Sequence, residues 1–322
     1  MTDNQNTKNI VAGMDIGGTT VSMGIVDLEG NLLNHDYGMA PINKGVKTVV
    51  EWISERLYRL IHRTPEVRLC GIGIGIAGLV DAQRGTLNYA ANLADWKNVP
   101  LAGLFQKEFN VPVFLENDAN VAALGEYAYG AGERVSNMVL VTLGTGVGAG
   151  LILNGDIYRG VHGLAGEIGH TIIHKDGPLC GCGRRGCLEA FIGNAAIIQR
   201  TRALCNSYPS DMNDSIQSLT TKDISDAAEK GDSVALKVYG EVGEILAVGL
   251  SNVFNLLNIQ RAVISGGVAR ASCYFLETTQ SVLNDLVLDD HLKPVEAVTA
   301  SLGDNAGLLG AAYLAIKNCR TR

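Results

Sequence analysis

The chain has 322 residues, of which 47% are hydrophobic and 18% are charged, and its formal net charge is −7. This length suits two domains of ordinary size, and the hydrophobic content lets each domain bury a core. The negative charge and the lack of any Lys/Arg run argue against a nucleic-acid partner, and no apolar run reaches the ~18 residues of a membrane span. The polar start of the chain lacks the apolar segment of a secretory signal. Together with cysteines that are interpreted below as thiolate ligands, it predicts a cytoplasmic protein.

The first part of the chain alternates between strand and helix patterns. The predicted elements, in chain order, are strands at 10–18, 20–27 and 31–39, a helix at 46–61, a strand at 68–78, a helix at 101–109, a strand at 111–116 and a helix from 119. The 68–78 run is apolar throughout, which is typical of a central parallel strand. It contains a formal G-x-G-x-x-G from Gly73 to Gly78, but the residues after it are not helical, so a dinucleotide-binding fingerprint is excluded.

A second copy of the opening pattern begins after Gly130. A strand at 137–143, a glycine turn that carries a threonine, and a strand at 149–154 repeat the opening hairpin. This internal duplication predicts two related lobes with a cleft between them. The remaining predicted elements are a helix from about 194, a polar surface loop at 206–221, helices at 223–230 and 232–258, strands at 262–267 and 297–301, and a small-residue helix at 305–317 that packs back on the first lobe.

Glycine turns in both copies are candidate phosphate sites. The residues are Gly17, Gly18 and Thr19 in the first turn and Gly144, Thr145, Gly146 and Gly148 in the second. Bare backbone N–H groups and a threonine hydroxyl suit an anion, although such a turn can also be an ordinary hairpin. Two turns that face one cleft can hold one polyphosphate, and Asp15 beside the first turn would then hold Mg²⁺ through water. A flat adenine could lie against bare backbone at Gly266 and Gly267. The chain contains no G-x4-G-K-[ST], so it is not a P-loop protein.

A candidate catalytic carboxylate follows the strand at 111–116. Asn117 and Asp118 lie where this strand is followed by a helix, and ligands of open α/β sheets gather at such carboxyl ends. Asp118 can be a general base, or it can simply cap the helix. The Asn117 amide, which has both a donor and an acceptor, suits sugar hydroxyls.

The stretch 170–189 contains a candidate metal site. A histidine is followed by three cysteines among glycines: His170, Cys180, Cys182 and Cys187. Three thiolates and one imidazole make a closed tetrahedral set of the kind that holds structural zinc. The alternative is that these cysteines are small buried hydrophobic residues, as the other, scattered cysteines are interpreted. Glu167 and Glu189 flank the loop. A metal would hold both in register to accept hydrogen bonds from adjacent sugar hydroxyls, although they could also be solvated surface acids.

Taken together, these motifs resemble the ROK family of bacterial sugar kinases, within the α/β, two-lobed actin-like/hexokinase ATPase fold built from duplicated ribonuclease H-like domains. The resemblance covers nearly the whole chain and is carried by DIGGT at 15–19, ENDAN at 116–120, LGTGVG at 143–148, GEIGH at 166–170 and CGCGRRGCLE at 180–189. It implies that Asp118 is the general base and that His170 both binds zinc and faces the sugar. The implied sugar ligands are Asn117, Asp118, Glu167, His170 and Glu189. Thr20 departs from the family, which often has a non-catalytic lysine there, and the segment 92–101 is similar to glucokinases of the family.

The resemblance implies an ATP-dependent kinase for the 6-hydroxyl of glucose, with structural Zn²⁺, with Mg²⁺ on the ATP, and with a homodimeric or homotetrameric assembly. Kinases for N-acetylmannosamine, N-acetylglucosamine, allose or fructose stay open, because pocket shape decides among sugars. The family's DNA-binding repressors carry a helix-turn-helix before the first phosphate motif, and Asp15 lies too near the start for one; a regulator without that domain stays an alternative. An actin-like structural role leaves the carboxylates without a purpose. The expected lobes are 1–118 with 304–322, and 119–303, hinged near 118–136 and 301–305.

Overall fold

The computed structural model describes residues 7–90, 93, 96–288 and 294–320. The strands are β1 (Lys8–Ile16), β2 (Thr20–Asp27), β3 (Leu32–Met39), β4 (Val67–Ile76), β5 (Leu79–Asp81), β6 (Thr86–Tyr89), β7 (Lys97–Val99), β8 (Val113–Asn117), β9 (Met138–Leu143), β10 (Val147–Leu153), β11 (Asp156–Ile157), β12 (Arg261–Ser265) and β13 (Glu296–Thr299). The helices are α1 (Val46–His62), α2 (Leu101–Phe109), α3 (Asp118–Tyr129), α4 (Glu189–Ile192), α5 (Asn194–Cys205), α6 (Thr221–Glu229), α7 (Ser233–Leu257), α8 (Leu276–Leu286) and α9 (Ala306–Arg320).

Two five-stranded sheets share one topology. The strand order is β3-β2-β1-β4-β8 in the first sheet and β11-β10-β9-β12-β13 in the second. Each sheet begins with an antiparallel meander of three strands. A fourth strand pairs in parallel with the first strand of the meander, and a fifth strand pairs in parallel with the fourth. The repeated order confirms the predicted duplication and the two-lobed α/β fold class. As predicted, β4 is a central strand, parallel to β1 on one side and to β8 on the other.

The cores lie between the sheets and the helices that cover them. In the first lobe, the apolar stripe of α1, with Ile53 and Leu57, and Phe105 of α2 pack in one cluster with the sheet. In the second lobe, helices α5 to α8 cover the sheet, and Leu246 and Phe275 are fully buried there. The segment after β4 forms the small sheet β5-β6-β7 rather than a helix, which confirms that it is not a dinucleotide-binding unit.

Helix α9 returns to the first sheet, as the sequence predicts. Its Leu308 and Ala312 pack in one cluster with Val11 of β1. A Cβ on Gly13 or Gly73 of the sheet would overlap the backbone of α9, so glycine is what allows this close approach. Helix α3 packs against α9 on one side and against β9 and β10 on the other. The two helices therefore link the two sheets.

Three parts of the chain differ from the sequence-based expectations. The 206–221 segment is not only a surface loop, because Met212 and Leu219 are buried in the second core and 213–218 forms a 3-10 helix. Helix α8 was not predicted. In the 92–101 segment, Asn92, Ala94 and Asp95 lie outside the described residues. In the parts of the chain that the structure describes, no helix is long and apolar enough to cross a bilayer.

Candidate active site

The carboxyl ends of parallel strands from both sheets meet at one cleft of roughly 830 Å³. From the first sheet, Asp15 lies near the end of β1 and Asn117 ends β8. From the second sheet, Thr142 lies near the end of β9 and Gly266 follows β12. The duplication therefore lets both sheets contribute strand ends to one shared cavity.

Most of the predicted site residues line this cleft. They are Asp15, Asn117, Asp118, Gly144, Thr145, Gly146, Gly148, Glu167, His170, Glu189 and Gly266. Gly267 lines a smaller cavity of roughly 310 Å³ that also includes Gly266. Gly17, Gly18 and Thr19 are not part of the cleft lining. The Gly17 N–H donates to the Thr20 carbonyl at 2.9 Å, so this donor closes the hairpin turn and is not available to a phosphate.

The junction of β8 and α3 sets the position of Asp118. Asn117 is the N-cap of α3: its Oδ1 accepts hydrogen bonds from the N–H groups of Ala119 (3.0 Å) and Asn120 (3.3 Å). The Asn117 Nδ2 donates to the Gly78 carbonyl at 3.2 Å. Asp118 Oδ1 accepts a further bond from Ala119 N–H at 2.9 Å. Asn117 thus supplies the helix cap, and the carboxylate of Asp118 lies in the first turn at the cleft.

Two carboxylates of the cleft have pKa values above the ordinary value of an aspartate. Burial, and then the charge of Asp118, raises the pKa of Asp15 to about 7. Burial also raises the pKa of Asp118 above its ordinary value, against the hydrogen bond from Ala119 N–H. A methyl group on Gly307 would overlap the Asp15 carboxylate, which is therefore packed against the first turn of α9. Two neighbouring carboxylates of this kind fit a divalent cation.

Several residues line the cleft without having been identified from the sequence. These are Leu79, Tyr89, Asn120, Thr142 and Leu164. Asn120 is the last residue of the ENDAN motif at 116–120, and Thr142 directly precedes the motif at 143–148, so their position beside a strand end was a usable signal. Leu79, Tyr89 and Leu164 come from the small sheet and from the loop after β11, and no motif marks them. Asn120 is buried, and its Oδ1 has no hydrogen-bond partner among the described residues.

The four predicted zinc ligands converge on one point. The ligand atoms of His170, Cys180, Cys182 and Cys187 all lie within 4.8 Å of one another. Cys180 Sγ is 3.7 Å from His170 Nδ1, and Cys182 Sγ is 3.6 Å from Cys187 Sγ. A tetrahedral zinc ion with Zn–S bonds of about 2.3 Å separates two sulfur ligands by about 3.8 Å. The donor set and its spacing therefore fit a closed, structural zinc site.

The thiols of this cluster differ in their pKa values. Burial raises the pKa of Cys180 to about 12, whereas a hydrogen bond from the Arg184 backbone N–H lowers the pKa of the exposed Cys182. Three thiolates so close together need a cation to offset their mutual repulsion. Metal binding should therefore release protons and weaken in acid.

Glu189 connects the zinc ligands to the second glycine turn. It is the first residue of α4, and its Oε1 lies 3.5 Å from Cys180 Sγ. Its Oε2 accepts a hydrogen bond from Val147 N–H at 3.0 Å, and a Cβ on Gly146 would come within 2.6 Å of the same oxygen. A change at the zinc ligands would therefore affect both Glu189, a candidate sugar ligand, and the candidate phosphate turn at 144–148.

Comparison with known proteins agrees with this geometry. The ROK family model matches residues 11–318. A glucokinase of Halalkalibacterium halodurans is 36% identical over 311 residues, which are 94% of this chain and 93% of the relative. The crystal structure of a ROK family glucokinase from Streptomyces griseus, in complex with glucose and AMPPNP, has a TM-score of 0.79 and 32% identity over 96% of this chain and 99% of that chain. A xylose repressor of Caldicellulosiruptor bescii is 29% identical over 96% of this chain and 78% of the repressor.

The duplicated α/β fold, with one cleft shared by both sheets, is of the class to which the ROK hexokinase from Thermus thermophilus belongs, with a TM-score of 0.83 and 30% identity. The chain belongs to the ROK family, and as an enzyme it is a glucokinase-like sugar kinase.

Proposed function

We propose that the protein is an ATP-dependent hexose kinase that phosphorylates the 6-hydroxyl of glucose, with Asp118 as general base. The observation that carries this proposal is the Asp118 carboxylate, which has a raised pKa and lies in a cleft also lined by the glycine turn at 144–148. A general base needs a pKa nearer the working pH than that of an ordinary carboxylate, and burial moves Asp118 in that direction. The glucose and AMPPNP bound to the Streptomyces griseus relative support the same two substrates.

The proposed sugar site uses side chains from two parts of the cleft. Asn117 and Asp118 lie at the β8–α3 junction, and Glu167, His170 and Glu189 lie on or beside the zinc loop. Carboxylates accept hydrogen bonds from adjacent hydroxyls, and the Asn117 amide nitrogen has a second N–H beyond the one given to Gly78. Glucose bound here would bring its 6-hydroxyl to Asp118.

In the proposed reaction, the O6–H bond breaks and its proton moves to the Asp118 carboxylate. O6 forms a bond to the γ-phosphorus while the bond from that phosphorus to the bridging oxygen breaks, and ADP leaves. General-base assistance of this kind contributes ~10²–10⁴-fold, and positioning and electrostatic stabilisation contribute the rest. Mg²⁺ bound with ATP supplies charge neutralisation, and Asp15 would hold it through water.

The proposed nucleotide site continues from the cleft into the smaller cavity. The turn at 144–148 would hold phosphates, and the first turn would add N–H groups from Gly18 and Thr19 but not from Gly17. Gly266 lines both cavities, and small residues such as Gly267 and Ala300 line the second. A flat adenine fits against such bare backbone.

We further propose that Zn²⁺, held by His170 and by Cys180, Cys182 and Cys187, is structural. All four tetrahedral positions are taken by protein atoms, so zinc leaves none for a substrate. Its role would be to hold Glu189 and the ends of the loop in register, because Glu189 follows the zinc ligand Cys187 by only two residues.

The proposed lobes, 1–118 with 304–322 and 119–303, would close on the substrates around two crossing segments. Glu126 near the end of α3 supports this hinge. Its buried carboxylate accepts hydrogen bonds from the N–H groups of Ala131 (2.8 Å), Ser301 (3.1 Å) and Leu302 (2.7 Å), and so ties the two crossing segments together. Because the two segments that connect the lobes are joined to each other, the lobes would rotate relative to one another about a single axis.

A second candidate function is a kinase for another sugar, or a sugar-responsive regulator. A regulatory function stays a candidate because a xylose repressor is among the relatives of this chain. The decisive experiment is ADP release from ATP with a panel of glucose, mannose, fructose, allose, N-acetylglucosamine, N-acetylmannosamine and xylose. Glucose should give the highest kcat/KM, another preferred sugar would replace glucose in the proposal, and binding of a sugar without turnover would favour the regulator. The homodimeric or homotetrameric assembly and the cytoplasmic location stay predictions.

A further inference from the structure

A buried carboxylate lies directly before the candidate catalytic segment. Glu116 belongs to β8, and only 2% of it is exposed. Its Oε1 accepts hydrogen bonds from the Asn117 backbone N–H at 3.0 Å and from Asn120 Nδ2 at 2.9 Å. Asn117 and Asn120 flank Asp118, and all three line the cleft. The orientation of the β8–α3 junction therefore depends on the Glu116 carboxylate.

The other oxygen of Glu116 is held from the second sheet. Arg159, in the loop after β11, donates from Nε to Glu116 Oε2 at 2.6 Å. β8 and β11 are outer strands of different sheets, so this ion pair bridges the two sheets. The Arg159 carbonyl accepts the Ala165 N–H at 3.1 Å, which closes the loop that leads to Gly166 and Glu167 at the cleft. Arg159 therefore contacts elements of both cleft walls.

We propose that Glu116 and Arg159 are a positioning pair, which fixes Asp118 relative to the loop that carries Glu167. The inference rests on the proposed function and deepens it. Neither residue lines the cleft, so the pair would act through the groups that it holds. Packing alone could be supplied by apolar side chains of similar volume. What the charged pair adds is a short, directional link between the two sheets.

The structure offers a matched control for a test. The Arg159 side chain is 35% exposed, so Arg159→Met should fold. Arg56 makes a comparable pair with Asp36, with hydrogen bonds of 2.8 and 2.7 Å between α1 and β3, and neither residue lines the cleft. Arg56→Met therefore also removes an arginine–carboxylate pair, but at a site outside the cleft.

We expect Arg159→Met to lower kcat about tenfold or more and to raise the sugar KM, because small misplacements of reacting groups are costly. Its zinc content should match that of Arg56→Met, and kcat is compared at a temperature where both variants are folded, because Glu116 without Arg159 is a buried, unpaired carboxylate. Arg159→Lys should recover part of the kcat, since it keeps the charge but loses the planar fork. The double variant Glu116→Gln/Arg159→Met should lose no more kcat than the worse single variant, because both residues form one link.

A kcat for Arg159→Met within twofold of that for Arg56→Met, or losses that multiply in the double variant, would overturn the proposal. A wild-type chain that phosphorylated no hexose would contradict the proposed function instead. In that case the Glu116–Arg159 pair can still be tested without activity, by hydrogen exchange of the backbone amides in the loop at 159–167. This exchange should be faster in Arg159→Met than in Arg56→Met, and equal exchange would overturn the pair.

Discussion

Replacing Asp15 by asparagine should make the ligand-free protein more stable at pH 8 while impairing its activity. The pKa of Asp15 is about 7 in the folded protein, against an ordinary value of 3.8. The folded state therefore holds this proton more tightly than the unfolded chain, so stability is lost as the pH rises from about 4 to about 7. A shift of roughly 3 units corresponds to about 4 kcal/mol at 1.36 kcal/mol per unit. Because solvent and counterions reach the cleft, we expect about 2 kcal/mol, or ~4 °C in Tm.

The assay is thermal unfolding of wild type and Asp15→Asn at pH 4.5, 6 and 8. The gain in Tm should be largest at pH 8 and small at pH 4.5. Asp27 is a control of opposite sign: burial alone would raise its pKa, but hydrogen bonds from Lys8 and Asn31 lower it to about 2. Its stabilisation is present above about pH 4 and is lost toward pH 2, so Asp27→Asn should lower the Tm at pH 8. An Asp15→Asn protein with an unchanged or lower Tm at pH 8 would refute the uncompensated charge at Asp15.

Three further predictions concern the base, the metal and the motion. Asp118→Asn should lower kcat at least ~10²-fold and retain part of the sugar binding. The wild-type kcat should fall in acid as Asp118 takes up a proton, with a midpoint above pH 3.8, because its pKa is raised. Near-normal turnover of the variant would mean that Asp118 is only a ligand. Cys182→Ser should lose the single zinc by elemental analysis and should weaken sugar binding through Glu189; active wild type without zinc would contradict this. Saturating glucose should compact the protein in small-angle scattering, and ATP turnover without sugar should be very slow; unchanged scattering with rapid sugar-free hydrolysis would refute closure.

The regular parts of the fold could be predicted because their signals are local. Strand β2 and helix α2 have the predicted bounds, since glycine turns lie on both sides of β2, and Pro100 and Asn110 bound the apolar spacing of α2. The duplication was visible because both copies open with the same hairpin. Helix α8 was missed because its buried face is small, with only Thr279 and Leu283 buried, so its apolar pattern is weak. Met212 is buried by tertiary contacts, which the polar residues around it in the sequence do not indicate.

The candidate site likewise has features that local sequence patterns predict and features that they do not. Asp118 and the zinc ligands stand out because their residue types and spacing carry the chemistry within one stretch of chain. The bond from Arg159 to Glu116 joins residues 43 apart, and the bond from Leu302 to Glu126 joins residues 176 apart. Such contacts depend on how two sheets and two crossing segments come together, which no local pattern encodes. The turn at Gly17 looked like a full phosphate cradle, but the hairpin itself uses one of its donors.

The most direct test of the central claim is the identity of the phosphorylated product. The protein is incubated with ATP and glucose, or with ATP and 6-deoxyglucose, and the products are assigned by phosphorus–proton NMR. We predict that glucose yields only glucose 6-phosphate, that 6-deoxyglucose yields no sugar phosphate, and that Asp118→Asn makes the first product at least ~10²-fold more slowly. Phosphate on another hydroxyl, phosphorylation of 6-deoxyglucose, or no sugar phosphate from wild type would contradict the account.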